Sequence, residues 1–125
     1  MRAFKTKVFA RFANEERISD SALLKAIAAA EVKPDADLGG GLIKQRVARR
    51  NEGKSGGYRT IIAIRRGDRA VFLFGFAKND RENLSIRETR DLKILASTFL
   101  ERSPEELEEM IAGGRLWEIE NHDPN

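Results

Sequence analysis

The sequence has no cysteine and a single histidine, His122, close to the end of the 125-residue chain. The missing cysteine removes disulfides, thiolate metal sites and thiol nucleophiles together, and it fits a reducing compartment. A histidine so near a chain end is expected to be an exposed tail residue rather than one fixed by packing, so a Ser–His–Asp relay is not expected. Carboxylates are then the main remaining metal ligands, and none falls in a recognisable ligand spacing. No cofactor is implied. Long apolar runs are missing too: nothing approaches the ~20 residues of a membrane span. The first residues, Met1-Arg2-Ala3-Phe4-Lys5-Thr6-Lys7, lack an apolar segment behind their charges, so no signal peptide is expected. With 41% apolar and 34% charged residues, the composition is that of an ordinary globular protein. Repeats and low-complexity linkers are also lacking. One domain is therefore expected over residues 1–125, with a core at about 2–100 and an acidic helical extension at about 101–125.

The net charge of +3 conceals a strong asymmetry. Lys44, Arg46, Arg49, Arg50, Lys54, Arg59, Arg65, Arg66 and Arg69 stand against Glu52 and Asp68, a band of roughly +7. From Glu101 onwards the balance is roughly −6. A basic middle raises the expectation of a polyanionic partner. Solvated surface charge is the plainer alternative.

Hydrophobic spacing predicts the elements. Phe4 to Lys7 reads as a short strand, and Val8, Phe9 and Phe12 fall at helical spacing after Thr6. Ser19 and Asp20 are cap types before a helix whose apolar face is Leu23, Leu24, Ile27 and Ala28, ending near Glu31. Leu42 to Arg49 alternates, with Ile43 and Val47 facing one way and Lys44 and Arg46 the other. Gly53 to Gly57 is a turn, and Tyr58 to Ile64 is a β-branched strand. Arg66-Gly67-Asp68-Arg69 makes a tight hairpin into Ala70–Ala77, apolar on both faces. The phenylalanines at 72, 74 and 76 should share one buried face. Ser85 with Glu88, and Ser103-Pro104 with Glu106, are capping boxes that open two helices. The face of the first is Leu92, Leu95, Ala96 and Phe99, and Gly113-Gly114 stops the second. Leu116 to Ile119 can add a short strand carrying Trp117, read as packing. The expected class is α+β: N-terminal helices on a small antiparallel sheet, with additional C-terminal helices.

Two glycine-rich stretches carry no nucleotide motif. Gly53-Lys54-Ser55 lacks the glycine five residues earlier that a P-loop needs, since Ala48 stands there. Gly39-Gly40-Gly41 lacks the later glycine of a dinucleotide fingerprint, since Lys44 holds that place. What remains is a constellation of Lys44, Arg46, Lys54, Tyr58, Arg59 and Lys78, which an antiparallel meander can bring to one edge. Glycines at 53, 56 and 57 would let backbone approach a phosphate. Arginine grips phosphate as a bidentate fork, and lysine acts as a mobile point charge. Such a set could cleave RNA through its own 2′-hydroxyl, without metal or histidine. The protein would accept a proton, stabilise the phosphorane and help the 5′-oxygen leave. A lysine base starts from a reference pKa of about 10.4, which neighbouring cations would lower. Clustered cations equally suit a passive phosphate cradle.

The stretches FKTKVFARFA, GGGLIKQRVAR and GKSGGYRTIIAIRRGDRAVFLFGFAKNDREN resemble the RelE-like toxins of bacterial toxin–antitoxin systems, a superfamily that includes ParE-like and HigB-like members. The likeness covers roughly residues 2–100. It implies helices on a small antiparallel sheet and a metal-independent endoribonuclease acting in the cytoplasm, in many relatives on mRNA in the ribosomal A site. It also implies a cognate antitoxin, often a DNA-binding protein. Arg59, after Tyr58, matches the family's phosphate-contacting arginine. Lys54 matches a lysine of the preceding loop, and Lys78 or Arg81 the basic residue after the last core strand. Lys44 comes from the strand-face reasoning alone. The expected catalytic set is therefore Lys54, Arg59, Lys78 and Tyr58, with Lys44, Arg46, Arg49 and Arg81 binding RNA. Several relatives carry a tyrosine or histidine near the C-terminal end of the active face. Here neither residue type occurs between Lys78 and His122, so Lys78 or Tyr58 would have to serve as acid. Two alternatives share the fold expectation: a non-enzymatic RNA- or DNA-binding module, and a ParE-like toxin of DNA gyrase. The acidic tail is read either as an added packing helix or as a segment whose acidic face lies over the basic site or helps dock an antitoxin.

Overall fold

A computed structural model of the chain describes residues 1–48, 57–78 and 83–120. The chain opens with strand β1 (Arg2–Thr6), then helices α1 (Lys7–Glu15) and α2 (Asp20–Val32). Strands β2 (Ala36–Gly39), β3 (Leu42–Val47), β4 (Tyr58–Arg65) and β5 (Arg69–Ala77) follow. Helices α3 (Ile86–Leu100) and α4 (Pro104–Ala112) lead to a last strand, β6 (Leu116–Ile119). The class is α+β, as expected.

Local chemistry explains where the helices start. The Thr6 hydroxyl accepts from the Phe9 amide at 3.2 Å, and that of Ser19 accepts from Ala22 at 3.1 Å. Both expected capping boxes form: Ser85 with Glu88 opens α3, and Ser103 with Glu106 opens α4, with Pro104 in its first turn. Each cap satisfies helix amides that have no intrahelical partner.

The strands make one six-stranded sheet in the order β2-β3-β4-β5-β1-β6. Its pairs are antiparallel except for β1 with β5, which is parallel. β2 is a strand that hydrophobic spacing did not reveal. It is short and half-exposed, and its hairpin turn uses Gly39, Gly40 and Gly41 at φ of +88°, +64° and +82°. Only glycine adopts that conformation without strain.

Helices cover both faces. Phe9, Ala13, Leu23, Ala26, Ile27 and Ala30 of α1 and α2 pack on Ile43, Val47, Tyr58, Ile62 and Phe72. On the other face Ala96, Phe99 and Leu107 of α3 and α4 pack on Leu42, Ile61, Ala63, Val71 and Leu73. Some faces are rotated from expectation. Val8 and Ala28 are exposed, Ala26 and Ala30 take the buried positions of α2, and Leu95 is 38% exposed.

The expectation for β5 needs a correction. Phe72 stacks on Phe9 with ring centroids 4.9 Å apart, on the α1/α2 side. Phe74 and Phe76 belong to the opposite, α3 side. The cause is a β-bulge. Ile61 pairs with Phe74 and Ile62 with Phe72, leaving Leu73 as an extra residue in β5. An inserted residue inverts the side-chain alternation beyond it. Gly75 then faces α1, where a Cβ would come within 2.5 Å of the Phe12 ring.

The acidic C-terminal segment packs into the core, the plainer of its two readings, and not over the basic site. β6 pairs with β1, and Leu107 and Leu116 are fully buried. Two strands, β5 and β1, separate β6 from β4, so the segment does not lie over the basic strands. Its carboxylates serve locally instead. Arg2 reaches Glu108 at 2.6 Å and Glu118 at 2.9 Å, and Arg102 reaches Glu106 at 3.1 Å. The Arg2 hydrogen bond holds the Glu118 carboxyl below its usual range, and Glu118 in turn raises the pKa of Arg2.

Candidate nucleic-acid interface

Strand alternation sorts the basic band. Ile43 and Val47 of β3 turn to the α1/α2 core, so Lys44 and Arg46 turn to the α3 side, as the sequence implies. In β4, Tyr58 and Ile62 belong to the α1/α2 core and Ile61 to the other. Arg59 therefore shares the α3 side with Lys44 and Arg46. The register aligns these residues into two cross-strand rows on one face. Arg46, Arg59 and Phe76 form the first, and Lys44, Ile61 and Phe74 the second. Residues directly opposite have Cβ atoms about 4.5–5.5 Å apart. Like charges at Arg46 and Arg59 repel there, so the row gains from an anion placed between them.

The cations differ in how they are held. Lys44 is half-buried, and its Nζ donates to Oδ1 of Asn83 at 3.0 Å. Arg46 is exposed, and its backbone N–H donates to Oδ2 of Asp35 at 2.6 Å, which fixes the strand beyond the end of β2. Arg59 is half-buried, and its Nη1 is shielded from solvent with no hydrogen-bond partner among the described residues. Buried donors are almost always paired, so this nitrogen is unusual among the described residues, while the rest of the half-buried guanidinium borders Arg46. Lys78 follows β5, and its N–H donates to the Gly57 carbonyl at 3.3 Å. It therefore lies beside the start of β4.

Tyr58 is placed apart from this set. Its ring is buried on the α1/α2 side, edge-on to Phe12 at 5.6 Å, and its hydroxyl lies 3.5 Å from the Glu16 carbonyl. A cleft of about 740 Å³ opens beside it, but Glu15 and Glu16 line that cleft together with Arg17 and Ser19. A phosphodiester would meet two carboxylates there, whereas the α3-side face offers cations. Lys54, Arg49 and Arg81 lie outside the described residues, as do the glycines at 53 and 56.

Other members of the band have structural work. Gly57 is packed on strand β3: a Cβ there would stand 2.6 Å from the Val47 carbonyl oxygen. That contact explains the glycine without any phosphate. Arg69 is only 4% exposed. Its Nη1 donates to the carbonyls of Phe99 at 3.1 Å and Arg102 at 2.6 Å, so it caps the end of α3. Arg65 pairs with Asp68 across the hairpin turn at 2.6 Å, which holds the Asp68 carboxyl below its usual range. Charge counting had no means to separate these arginines from Arg46 and Arg59. It also passed over Asn83, a neutral residue whose only sequence signal is its place two residues before the Ser85 cap.

A comparison with curated proteins finds none that matches. A comparison with protein families finds one whose description is "RelE toxin of RelE / RelB toxin-antitoxin system", matched over residues 1–119. The match runs from β1 through β6 and so includes the C-terminal segment that sequence alone set apart as an extension. With nearly the whole chain matched and the α+β fold in place, the protein belongs to the RelE family and is a toxin of a toxin–antitoxin module, with a cognate antitoxin as partner.

Proposed function

We propose that the protein is an endoribonuclease that cleaves mRNA at the ribosomal A site, acting in the cytoplasm as one toxin domain. RelE-family toxins are generally ribonucleases. The observation that carries the reading is the Arg46–Arg59 pair on the α3-side face, one row from half-buried Lys44. A phosphate placed between the two guanidinium groups would accept from both and relieve their repulsion.

In the proposed reaction the 2′-oxygen attacks phosphorus as its proton passes to a base. The phosphorane forms, the bond from phosphorus to the 5′-oxygen breaks, and that oxygen takes up a proton. The products are a cyclic phosphate and a 5′-hydroxyl. Arg59 holds the phosphorane, where its donor gains most as charge develops. Lys54 is the base or proton shuttle, assisted by Lys44, and Lys78 stands near the leaving oxygen. Arg46, with Arg49 and Arg81, tracks the RNA backbone. Tyr58, on the opposite face, braces the start of β4 and so the position of Arg59. These roles ask for no metal, which suits a sequence without cysteine. The antitoxin is proposed to be a DNA-binding protein.

The test is to induce wild type and Arg59→Ala in a bacterial host and map mRNA 5′ ends by primer extension. Growth arrest with new in-frame cuts is expected from the wild type. Loss of one such donor should lower cleavage by about 10²–10³-fold. RNA that is bound but never cut would make the protein a binding module. Intact mRNA with damaged DNA would indicate a gyrase poison.

A further inference from the structure

Lys44 is the one described cation of this face whose side chain is tied down by a neutral group. Its stem lies in the row with Ile61 and Phe74, and its Nζ ends 3.0 Å from the Asn83 amide oxygen. Asn83 stands two residues before Ser85, where a reciprocal pair of hydrogen bonds, 3.1 and 2.9 Å long, fixes the start of α3. The acceptor is therefore carried by a well-defined helix end. Among the described residues no carboxylate pairs with Lys44, and the nearby Asp35 is used by the Arg46 backbone.

We propose that Asn83 is a positioning residue that holds the Lys44 ammonium on the phosphate-facing side of the sheet. The inference rests on the nucleic-acid reading of this face. An amide oxygen takes one of the three ammonium protons and leaves two for phosphate oxygens. It orients the lysine without cancelling its charge, as an aspartate in the same place would. A lysine stem is rotamer-rich, and ordering it beforehand lowers what binding must immobilise. Lys44 thereby becomes a fixed contact rather than a mobile surface charge.

The test uses the full-length protein and a short single-stranded RNA made uncleavable by 2′-O-methylation, with affinity followed by anisotropy over a salt series. Each phosphate contact on a single strand contributes about 0.7 to the slope of log affinity against log salt. Lys44→Ala and Asn83→Asp should each lower the slope by about 0.7, and the double variant no further. Affinity between ~50 and ~200 mM salt would then fall about 2.6-fold less than for wild type. Asn83→Ala should keep the wild-type slope and bind more weakly at every salt. Aspartate near the N-terminus of α3 favours the helix, so unfolding would not mimic the effect, and a thermal melt checks this. A wild-type slope in Asn83→Asp, or a double variant that loses twice as much, overturns the inference alone. Wild type that binds this RNA without salt dependence overturns the reading of the face as well.

Discussion

Replacing Arg69 should damage the fold and leave nucleic-acid contact untouched, although this arginine lies inside the basic band. It is 4% exposed, and its Nη1 serves the carbonyls of Phe99 and Arg102 where α3 ends. Its Nε reaches Asp68 at 3.0 Å. In Arg69→Met the volume is largely kept, but two carbonyls lose a charged donor. Leaving a buried acceptor unsatisfied costs roughly 1–3 kcal/mol. The Asp68 pair adds little, because that side chain is 43% exposed and keeps Arg65. A loss of about 4 kcal/mol follows if each carbonyl counts near the middle of its range. For a chain of this size, that lowers the melting temperature by about 15 °C. Arg69→Lys should recover about half of the loss, since one ammonium reaches fewer acceptors than the guanidinium fork. Urea unfolding followed by circular dichroism measures the difference, and the salt slope of RNA binding measured in parallel should match wild type. A loss below about 1 kcal/mol in Arg69→Met would refute the capping role. A slope reduced as in Arg59→Ala would refute the separation of the two arginines.

Gly75→Ala should destabilise by about 1–3 kcal/mol through overpacking, because the new methyl would meet the Phe12 ring at 2.5 Å. Phe12→Leu in the same chain should relieve part of that loss, and a double-mutant cycle by urea unfolding would show the coupling. At the β1–β6 edge, Arg2 holds the Glu118 carboxyl below its ordinary value of 4.5. A depressed carboxylate contributes stability above its unfolded pKa and loses it as pH falls through the folded value. Wild type should therefore lose more stability than Arg2→Ala between pH 6 and pH 3, by less than about 1 kcal/mol because the pair is part-exposed. Equal losses in the two proteins would remove Arg2 as the cause.

Much of this protein is legible in its residue order. The helix starts at Thr6, Ser19, Ser85 and Ser103 could be read because a cap is a local bargain between one hydroxyl and amides two or three residues on. The split of β3 into an apolar and a cationic side could be read because strand alternation is also local. Residues whose meaning depends on a neighbour distant in sequence could not. Leu73 gives no sign that it is the bulge, since the bulge exists only in the pairing of β4 with β5. β2 was invisible because a short, half-exposed strand is defined by its partner.

The sequence by itself determined the capped helices, the polar face of β3, the lack of cysteine chemistry, and the resemblance that the family match bears out. Only the tertiary structure decided which arginines of the basic band are free to meet an anion. Arg46 and Arg59 become neighbours through register between β3 and β4, while Arg69 is spent on α3, thirty residues further along the chain. It also moved the acidic segment to the far edge of the sheet, where it serves Arg2. The physical reason is the same in each case. Charge and periodicity are properties of the chain, but burial and pairing depend on which distant segments the core brings together.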